Sequence, residues 1–383
     1  MGSEQKKRKR HWQQYLAVAV FMLIGAVCGI LMVEYIDAMF EAEKSAGEIA
    51  LSTALLFIGM YAAIYLQIIF HEAGHLLFGR MTGYRFSSFR IGSLMWIKED
   101  GRLCFRRLSV AGTGGQCLMV PPDMVDGKVP FVLYNLGGSF VNLLSAALFT
   151  GLYFSCRRIP TVSVLLLMLA VIGVAFAFVN GIPMRLGVVD NDGYNALALG
   201  KNSEALRSFW IQMKINEQIV KGVRIKDMPD QWFYVPTAES MKNSMIAVMG
   251  VVTCNRLMDA MEFDRADQQM KELLQMETGI IGLHRSLMVV DRIYCELIRE
   301  NRRDVLEDML DRQQKKFMRS MKNFPSVMRT DYAYALLAEQ DMTKAGAIKG
   351  RFDKKARTYP HPSEIVGERQ LMIYAEQRAE IAK

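Results

Sequence analysis

The chain has 383 residues, of which 51% are hydrophobic and 22% are charged, and its formal net charge is +8. The hydrophobic share excludes a disordered chain, and six scattered cysteines without a Cys-x-x-Cys pair exclude a disulfide-stapled secreted scaffold or a zinc ribbon. Because much of the positive charge flanks apolar segments, we interpret it as a signal of membrane orientation and expect no nucleic-acid partner.

In chain order, a basic tail at residues 1–14 is followed by four uncharged apolar runs. Each run is close to or above the ~20 residues that a helix needs to cross the hydrocarbon of a bilayer. The runs cover residues 15–33, 49–70, 131–156 and 159–184. They predict a mainly α, multi-pass membrane protein with about four transmembrane helices.

Charges beside these runs predict their orientation. Basic residues precede the first run and follow the second, whereas the loop between the two runs is mainly acidic. The positive-inside rule then places both termini in the cytoplasm of a protein of the cell membrane. Arg157 and Arg158, between the third and fourth runs, are exceptions to this rule.

A metal-binding pattern follows the second run, where the sequence is His71-Glu72-Ala73-Gly74-His75. Residues four apart share one face of a helix, so both imidazoles can reach a single ion. Zinc (Zn2+) suits them because it accepts neutral imidazole nitrogen and can keep an open position for water. Glu72 can take a proton from that water, whose pKa zinc lowers toward ~7.

Two histidines leave zinc one protein ligand short. The fourth run ends near Pro183, which breaks the helix, and broken backbone at membrane depth is tolerated where it lines a cavity. With four spans, this break returns to the membrane side of His75. Asp192, or Asp190 as the alternative, then completes a site of two histidines and one carboxylate. In the simpler interpretation Asp192 only caps the next helix.

The HEAGH pattern at residues 71–75 has two companion segments. One is Gly-Gly-Ser-Phe-Val-Asn at residues 137–142, and the other is Asn-Gly-Ile-Pro at residues 180–183 with Asp-Gly at residues 192–193. Together they resemble the site-2 protease family of intramembrane zinc metalloproteases, in the form of a bacterial member with a helical cytoplasmic C-terminal domain. The resemblance covers roughly residues 50–195. Ser139 stands where the family has proline, and Asp192 follows Pro183 at a longer spacing than is common there.

The resemblance implies a role for five residues. His71, His75 and Asp192 bind zinc, and Glu72 is the catalytic base. Asn180 orients the substrate or stabilises the oxyanion. The resemblance also implies β-strands near the catalytic helix.

A β insert is predicted at residues 83–128, between the second and third runs. Residues 96–105 indicate a hairpin in which Asp100 and Gly101 form the tight turn. Either an exposed strand edge holds a substrate as an added strand, or the hairpin covers the site.

Residues 195–383 predict an all-α cytoplasmic domain. Apolar residues recur there with helical spacing, and a weak repeat of roughly 40 residues suggests helix pairs, with a plain bundle as the alternative. This domain recruits substrates, binds a ligand or docks a protein partner, and the sequence does not choose among the three.

The sequence therefore predicts a zinc metalloendopeptidase, formed by residues 15–194, that cuts membrane-embedded or membrane-adjacent proteins or peptides. Two alternatives come from other functional classes: a non-catalytic membrane receptor or adaptor, and a peptide exporter or immunity protein. Structural zinc sites normally have four protein ligands, which favours the catalytic interpretation of a site with three.

Overall fold

The computed structural model describes residues 2–99, 101–110, 113–184, 190–200 and 202–381, with side chains from residue 18 onward except that of Phe21. The described residues are mainly α-helical and include one four-stranded sheet, which confirms the predicted fold class. Asp100, predicted to form part of the hairpin turn, lies outside the described residues. The chain divides into two compact units.

The first unit consists of Met1–Arg85 and Pro130–Leu197. Its described helices are α1 (Gly2–Glu41), α2 (Ala46–Met81), α3 (Val132–Ser155), α4 (Pro160–Gly181) and α5 (Asp192–Gly200). Among the described residues, four segments are long and apolar enough to cross a membrane: Val18–Glu41, Ala46–Met81, Val132–Ser155 and Pro160–Gly181. Helix α2 begins after Ser45, whose side chain forms a capping box with Glu48.

These helices bury one face and expose another that is equally apolar. Met168 and Ile172 of α4 pack in a cluster with Leu56 and Ala63 of α2. On the outer surface, large apolar side chains such as Ile58 are more than half exposed. An apolar surface of this extent is the surface expected of helices that face lipid.

The second unit consists of Phe86–Val129 and Ala198–Lys383. Its strands are β1 (Arg85–Ile91), β2 (Leu94–Glu99), β3 (Arg102–Arg107) and β4 (Gly115–Val120), in the spatial order β3-β2-β1-β4. The antiparallel pairing of β2 with β3 sets Ile97 opposite Cys104, as the predicted hairpin requires. Two further strands extend that hairpin into a sheet.

The helices of the second unit follow one another along the chain, with short connections except between α6 and α7, where residues 221–243 intervene. They are α6 (Ser203–Val220), α7 (Ser244–Asp259), α8 (Phe263–Gln275), α9 (Gly282–Ile298), α10 (Arg303–Met309), α11 (Arg312–Ser320), α12 (Pro325–Ala333), α13 (Met342–Ala356) and α14 (Pro362–Ile381). Short 3₁₀ turns lie at Ile225–Asp227, Asp230–Trp232 and Ser240–Lys242, and a π-helical turn lies at Tyr334–Ala338.

Strand β2 and helices α7–α14 contribute to one hydrophobic core. Met95 and Ile97 of β2 belong to the same buried cluster as Tyr294 of α9 and Met328 of α12. The backbone N–H of Arg107 donates to the carbonyl oxygen of Thr358 at 3.1 Å. The insert between the second and third apolar segments is therefore part of the C-terminal unit.

Candidate metal centre

The structure brings together the three side chains predicted to bind metal. His71 and His75 lie one turn apart on α2, and Asp192 is the first residue of α5. One ligand atom from each residue lies within 4.8 Å of the other two. Among the described residues, this grouping contains Asp192 and not the alternative, Asp190.

The distances between the potential ligand atoms fit one small ion. His71 Nε2 lies 2.9 Å from Asp192 Oδ2, and His75 Nε2 lies 3.4 Å from the same oxygen. The two Nε2 atoms are 3.2 Å apart. Zinc bonds of ~2.0–2.2 Å in tetrahedral geometry place neighbouring ligand atoms roughly 3.3 Å apart. The three residues therefore match one face of a zinc tetrahedron.

Hydrogen bonds at the other ring nitrogens fix both imidazole tautomers. His75 Nδ1 lies 2.7 Å from the carbonyl oxygen of Tyr134, which can only accept, so this Nδ1 carries hydrogen. His71 Nδ1 lies 2.8 Å from Asn142 Oδ1. Asn142 Nδ2 donates to the carbonyl oxygen of Gln67 at 3.0 Å, which leaves Oδ1 as the acceptor for His71. Each neutral ring therefore directs an Nε2 lone pair toward Asp192.

This arrangement needs a positive charge at its centre. Two lone pairs and a carboxylate oxygen face one another, and His71 and His75 are each only 7% exposed. Buried acceptors at these distances repel one another unless a proton or a metal ion lies between them. Two imidazoles and one carboxylate are a donor set that zinc accepts, with a fourth position left for water.

Glycines let α2 and α3 approach closely enough to form the site. A Cβ atom at Gly74 would lie 2.3 Å from the carbonyl oxygen of Gly137. A Cβ atom at Gly138 would lie 2.5 Å from His71 Cε1. Both distances are far below van der Waals contact, so only glycine fits at either position. Gly138 thereby makes the space that the His71 ring occupies.

Asn191 holds Asp192 in place, and the sequence analysis did not single it out. Its Oδ1 accepts from the backbone N–H groups of Met184 and Tyr194, both at 2.9 Å. Its Nδ2 donates to the carbonyl oxygens of Val179 and Ile182, both at 2.6 Å. One buried amide thus joins the end of α4 to the start of α5. The only available signal was an asparagine in a position suited to capping the next helix.

The end of α4 also contacts α5 directly. A Cβ atom at Gly193 would lie 2.2 Å from the carbonyl oxygen of Gly181, so glycine is required for this close approach. In this Asp-Gly pair, Asp192 therefore supplies the carboxylate, and Gly193 allows the close backbone contact with α4. Residues 185–189, part of the predicted break after α4, lie outside the described residues.

The two predicted catalytic residues differ in their surroundings. Glu72 is 7% exposed, and its charge acts on the His75 imidazole. Asn180 lies in the last turn of α4, where its Nδ2 donates to the carbonyl oxygen of Phe176 at 3.0 Å. This amide is therefore engaged within its own helix, and its role toward an oxyanion stays a prediction.

Comparison of the chain with protein-family models, with curated proteins and with solved structures finds no match. The likeness to site-2 proteases consequently rests on the three sequence segments alone. We therefore infer a function from the geometry of His71, His75 and Asp192 and from the residues that hold them.

Proposed function

We propose that this protein is a membrane-embedded zinc metalloendopeptidase of the site-2 protease type. The observation that carries the proposal is the convergence of both Nε2 atoms on the Asp192 carboxylate, while both Nδ1 atoms lie within hydrogen-bond distance of buried oxygen atoms. A structural site normally takes a fourth protein ligand. Among the described residues the grouping has three, which suits a hydrolytic site that keeps a position for water.

Each residue has a role in this reaction. His71, His75 and Asp192 would hold the ion, which when bound polarises a carbonyl and lowers the pKa of its water toward ~7. Glu72 takes the proton of the attacking water and passes it to the leaving amine. Asn142 and the Tyr134 carbonyl group keep the two imidazoles in the tautomer that leaves Nε2 unprotonated. Asn180 would donate to the developing oxyanion by turning away from the Phe176 carbonyl group.

The four apolar segments support a location in the cell membrane with both termini in the cytoplasm. Residues 86–129 and 198–383 share a core, so both parts must lie on one side of the bilayer. Helices α3 and α4 separate these parts along the chain, and two crossings return the chain to the side it left. Together with the basic flanks, this supports our proposal that the second unit lies in the cytoplasm. The substrates we propose are membrane-embedded or membrane-adjacent proteins or peptides.

A metal analysis tests the site. We expect the purified full chain to contain about one zinc per molecule, and His71→Ala to lose most of it because one of three ligands is gone. Glu72→Gln should retain the metal, since Glu72 is not a ligand. Glu41→Gln, at the end of α1, is the matched control. Parent protein without stoichiometric zinc, measured by mass spectrometry of the metal, contradicts the proposal.

Peptidase activity is tested by comparing new protein N-termini in membranes of cells that produce the parent, Glu72→Gln or Glu41→Gln. We expect a set of cleaved membrane proteins with the parent and with Glu41→Gln, and its loss with Glu72→Gln, because general-base catalysis contributes about 10²–10⁴-fold. Identical N-termini for the parent and Glu72→Gln contradict the proposal. A non-catalytic receptor would need His71 but not Glu72.

A further inference from the structure

The second unit contains a cavity of about 260 Å³ among the described residues. Its walls come from α7, α9, α12, α14 and the 3₁₀ turn after α6. Part of the lining is apolar and includes Val248 and Val252 of α7 and Leu287 of α9, together with the aromatic residues Phe324 and Tyr359. The volume suits a small molecule with an apolar body.

The lining also contains ionisable residues, and their formal charges do not balance. Four carboxylates and two guanidinium groups line the cavity: Asp259, Asp291, Glu364, Glu368, Arg224 and Arg329. Their formal charge is −2; burial raises the pKa of the Asp291 and Glu368 carboxyl groups, and Arg329 acts in the opposite direction. His284 also borders the space, and burial lowers its pKa to about 4, so it adds no positive charge near neutral pH.

Both guanidinium groups are already paired with protein acceptors. Arg224 donates through Nε and Nη2 to Asp259 and through Nη1 to Gln370 Oε1 at 2.8 Å. Arg329 donates through Nε to Glu368 Oε2 at 2.9 Å, and through its other nitrogens to Thr330 and Asp291. Every nitrogen of both groups already donates to a protein acceptor, and the lining contains more carboxylates than guanidinium groups, so the cavity disfavours a carboxylate or phosphate.

The carboxylates, in contrast, keep acceptor capacity. In the contacts of the described residues, Asp291 and Glu368 each use one oxygen toward Arg329. Glu364 uses one oxygen, Oε2, to accept from the Tyr359 hydroxyl at 2.9 Å. A group entering this space therefore meets carboxyl oxygens without a protein partner and more carboxyl than guanidinium groups.

We propose that this cavity binds a small organic cation, a primary amine with an aromatic or aliphatic body. An ammonium group supplies three donors and the positive charge that the lining lacks. The proposal is independent of the metal centre, because every residue that carries it belongs to the second unit.

Three probes of similar size and different charge test this proposal: 2-phenylethylamine, 2-phenylethanol and 3-phenylpropionate. Each is titrated by calorimetry into the full chain in detergent, and into Val252→Phe, which fills the cavity, to subtract partition into micelles. We expect saturable binding of the amine to the parent alone, at least tenfold tighter than binding of the alcohol or the acid. Equal binding of the alcohol, or no difference between the parent and a folded Val252→Phe, overturns the proposal.

A second variant keeps the test valid if Val252→Phe does not fold. Glu364→Gln removes one negative charge and retains an oxygen that can accept from Tyr359, so we expect amine affinity to fall about tenfold. Glu307→Gln on α10, outside the cavity, is the matched control and should bind as the parent does. Unchanged amine affinity in Glu364→Gln contradicts the assigned role of the lining charge.

Discussion

Asp331 is a partly buried carboxyl group on α12 with an unusual proton affinity. Burial raises its pKa from an ordinary value of 3.8 to about 6, although Arg351 and Lys344 act in the opposite direction. The folded state thus holds the proton more tightly than the unfolded state. Its contribution to stability is fully present below pH ~4 and is lost as pH rises through about 6.

Replacing this residue should flatten the dependence of stability on pH. We expect Asp331→Asn to lose less unfolding free energy than the parent between pH 4.5 and pH 7, by about 1–2 kcal/mol. Chemical unfolding at both pH values measures the difference. Asp308→Asn, an exposed position on α10, should follow the parent. A parallel pH dependence of Asp331→Asn and the parent contradicts the expectation.

For individual residues, the spacing in the sequence predicts the potential metal ligands but not the groups that hydrogen-bond to them. His71 and His75 follow from helical periodicity, because residues four apart share a face. The prediction of Asp192 as a ligand depended in addition on where the fourth apolar run breaks and on how many times the chain crosses the membrane. Asn142 and the Tyr134 carbonyl group belong to another helix, and a bond to a backbone oxygen has no residue signature. The sequence therefore could not predict which atoms fix the imidazole tautomers.

Between elements, the contact of α2 with α3 decides whether the site can form. We expect Gly138→Ala to displace the His71 ring or to separate the two helices, since its Cβ would lie 2.5 Å from His71 Cε1. The cost should be about 1–3 kcal/mol of unfolding free energy, together with at least a tenfold loss of zinc affinity. Thermal unfolding and metal content of the purified protein measure both effects.

The same helix provides the control for this substitution. A Cβ atom at Gly151 of α3 meets nothing within 4 Å, and alanine favours a helix over glycine by ~1 kcal/mol. Gly151→Ala should therefore keep its zinc and unfold no earlier than the parent. Full zinc content in Gly138→Ala contradicts the expectation, because it would mean that α2 and α3 can move apart and the metal site still forms.

For the whole molecule, the joining of the sheet to the C-terminal helices could not be predicted from local patterns. The strand alternation predicted the hairpin, and the apolar runs predicted the spans. The contacts that place the sheet are remote in sequence: Lys355 Nζ donates to the carbonyl oxygen of Arg107, 248 positions away. The spacing of residues within a single sequence gives no signal for a contact between such distant positions.

Because the core is shared, we expect a destabilising substitution in the sheet to destabilise the helices as well. Ile97 is fully buried, and we expect Ile97→Ala to lower the unfolding free energy by about 2–5 kcal/mol. Hydrogen exchange should quicken in α9 and α12 as well as in the strands. Leu103→Ala, at a position 64% exposed on β3, should change little. Faster exchange confined to the strands contradicts a common core.

The shared core also sets an order of events during synthesis. The strands leave the ribosome long before α9 and α12 exist, and at about 5–20 residues per second the delay is roughly 10–40 s. During this interval the nascent strands have no partner to cover their apolar face, and their open edges can pair with other chains. Yield in a producing cell should therefore depend on translation speed and on chaperones that hold the unfinished polypeptide.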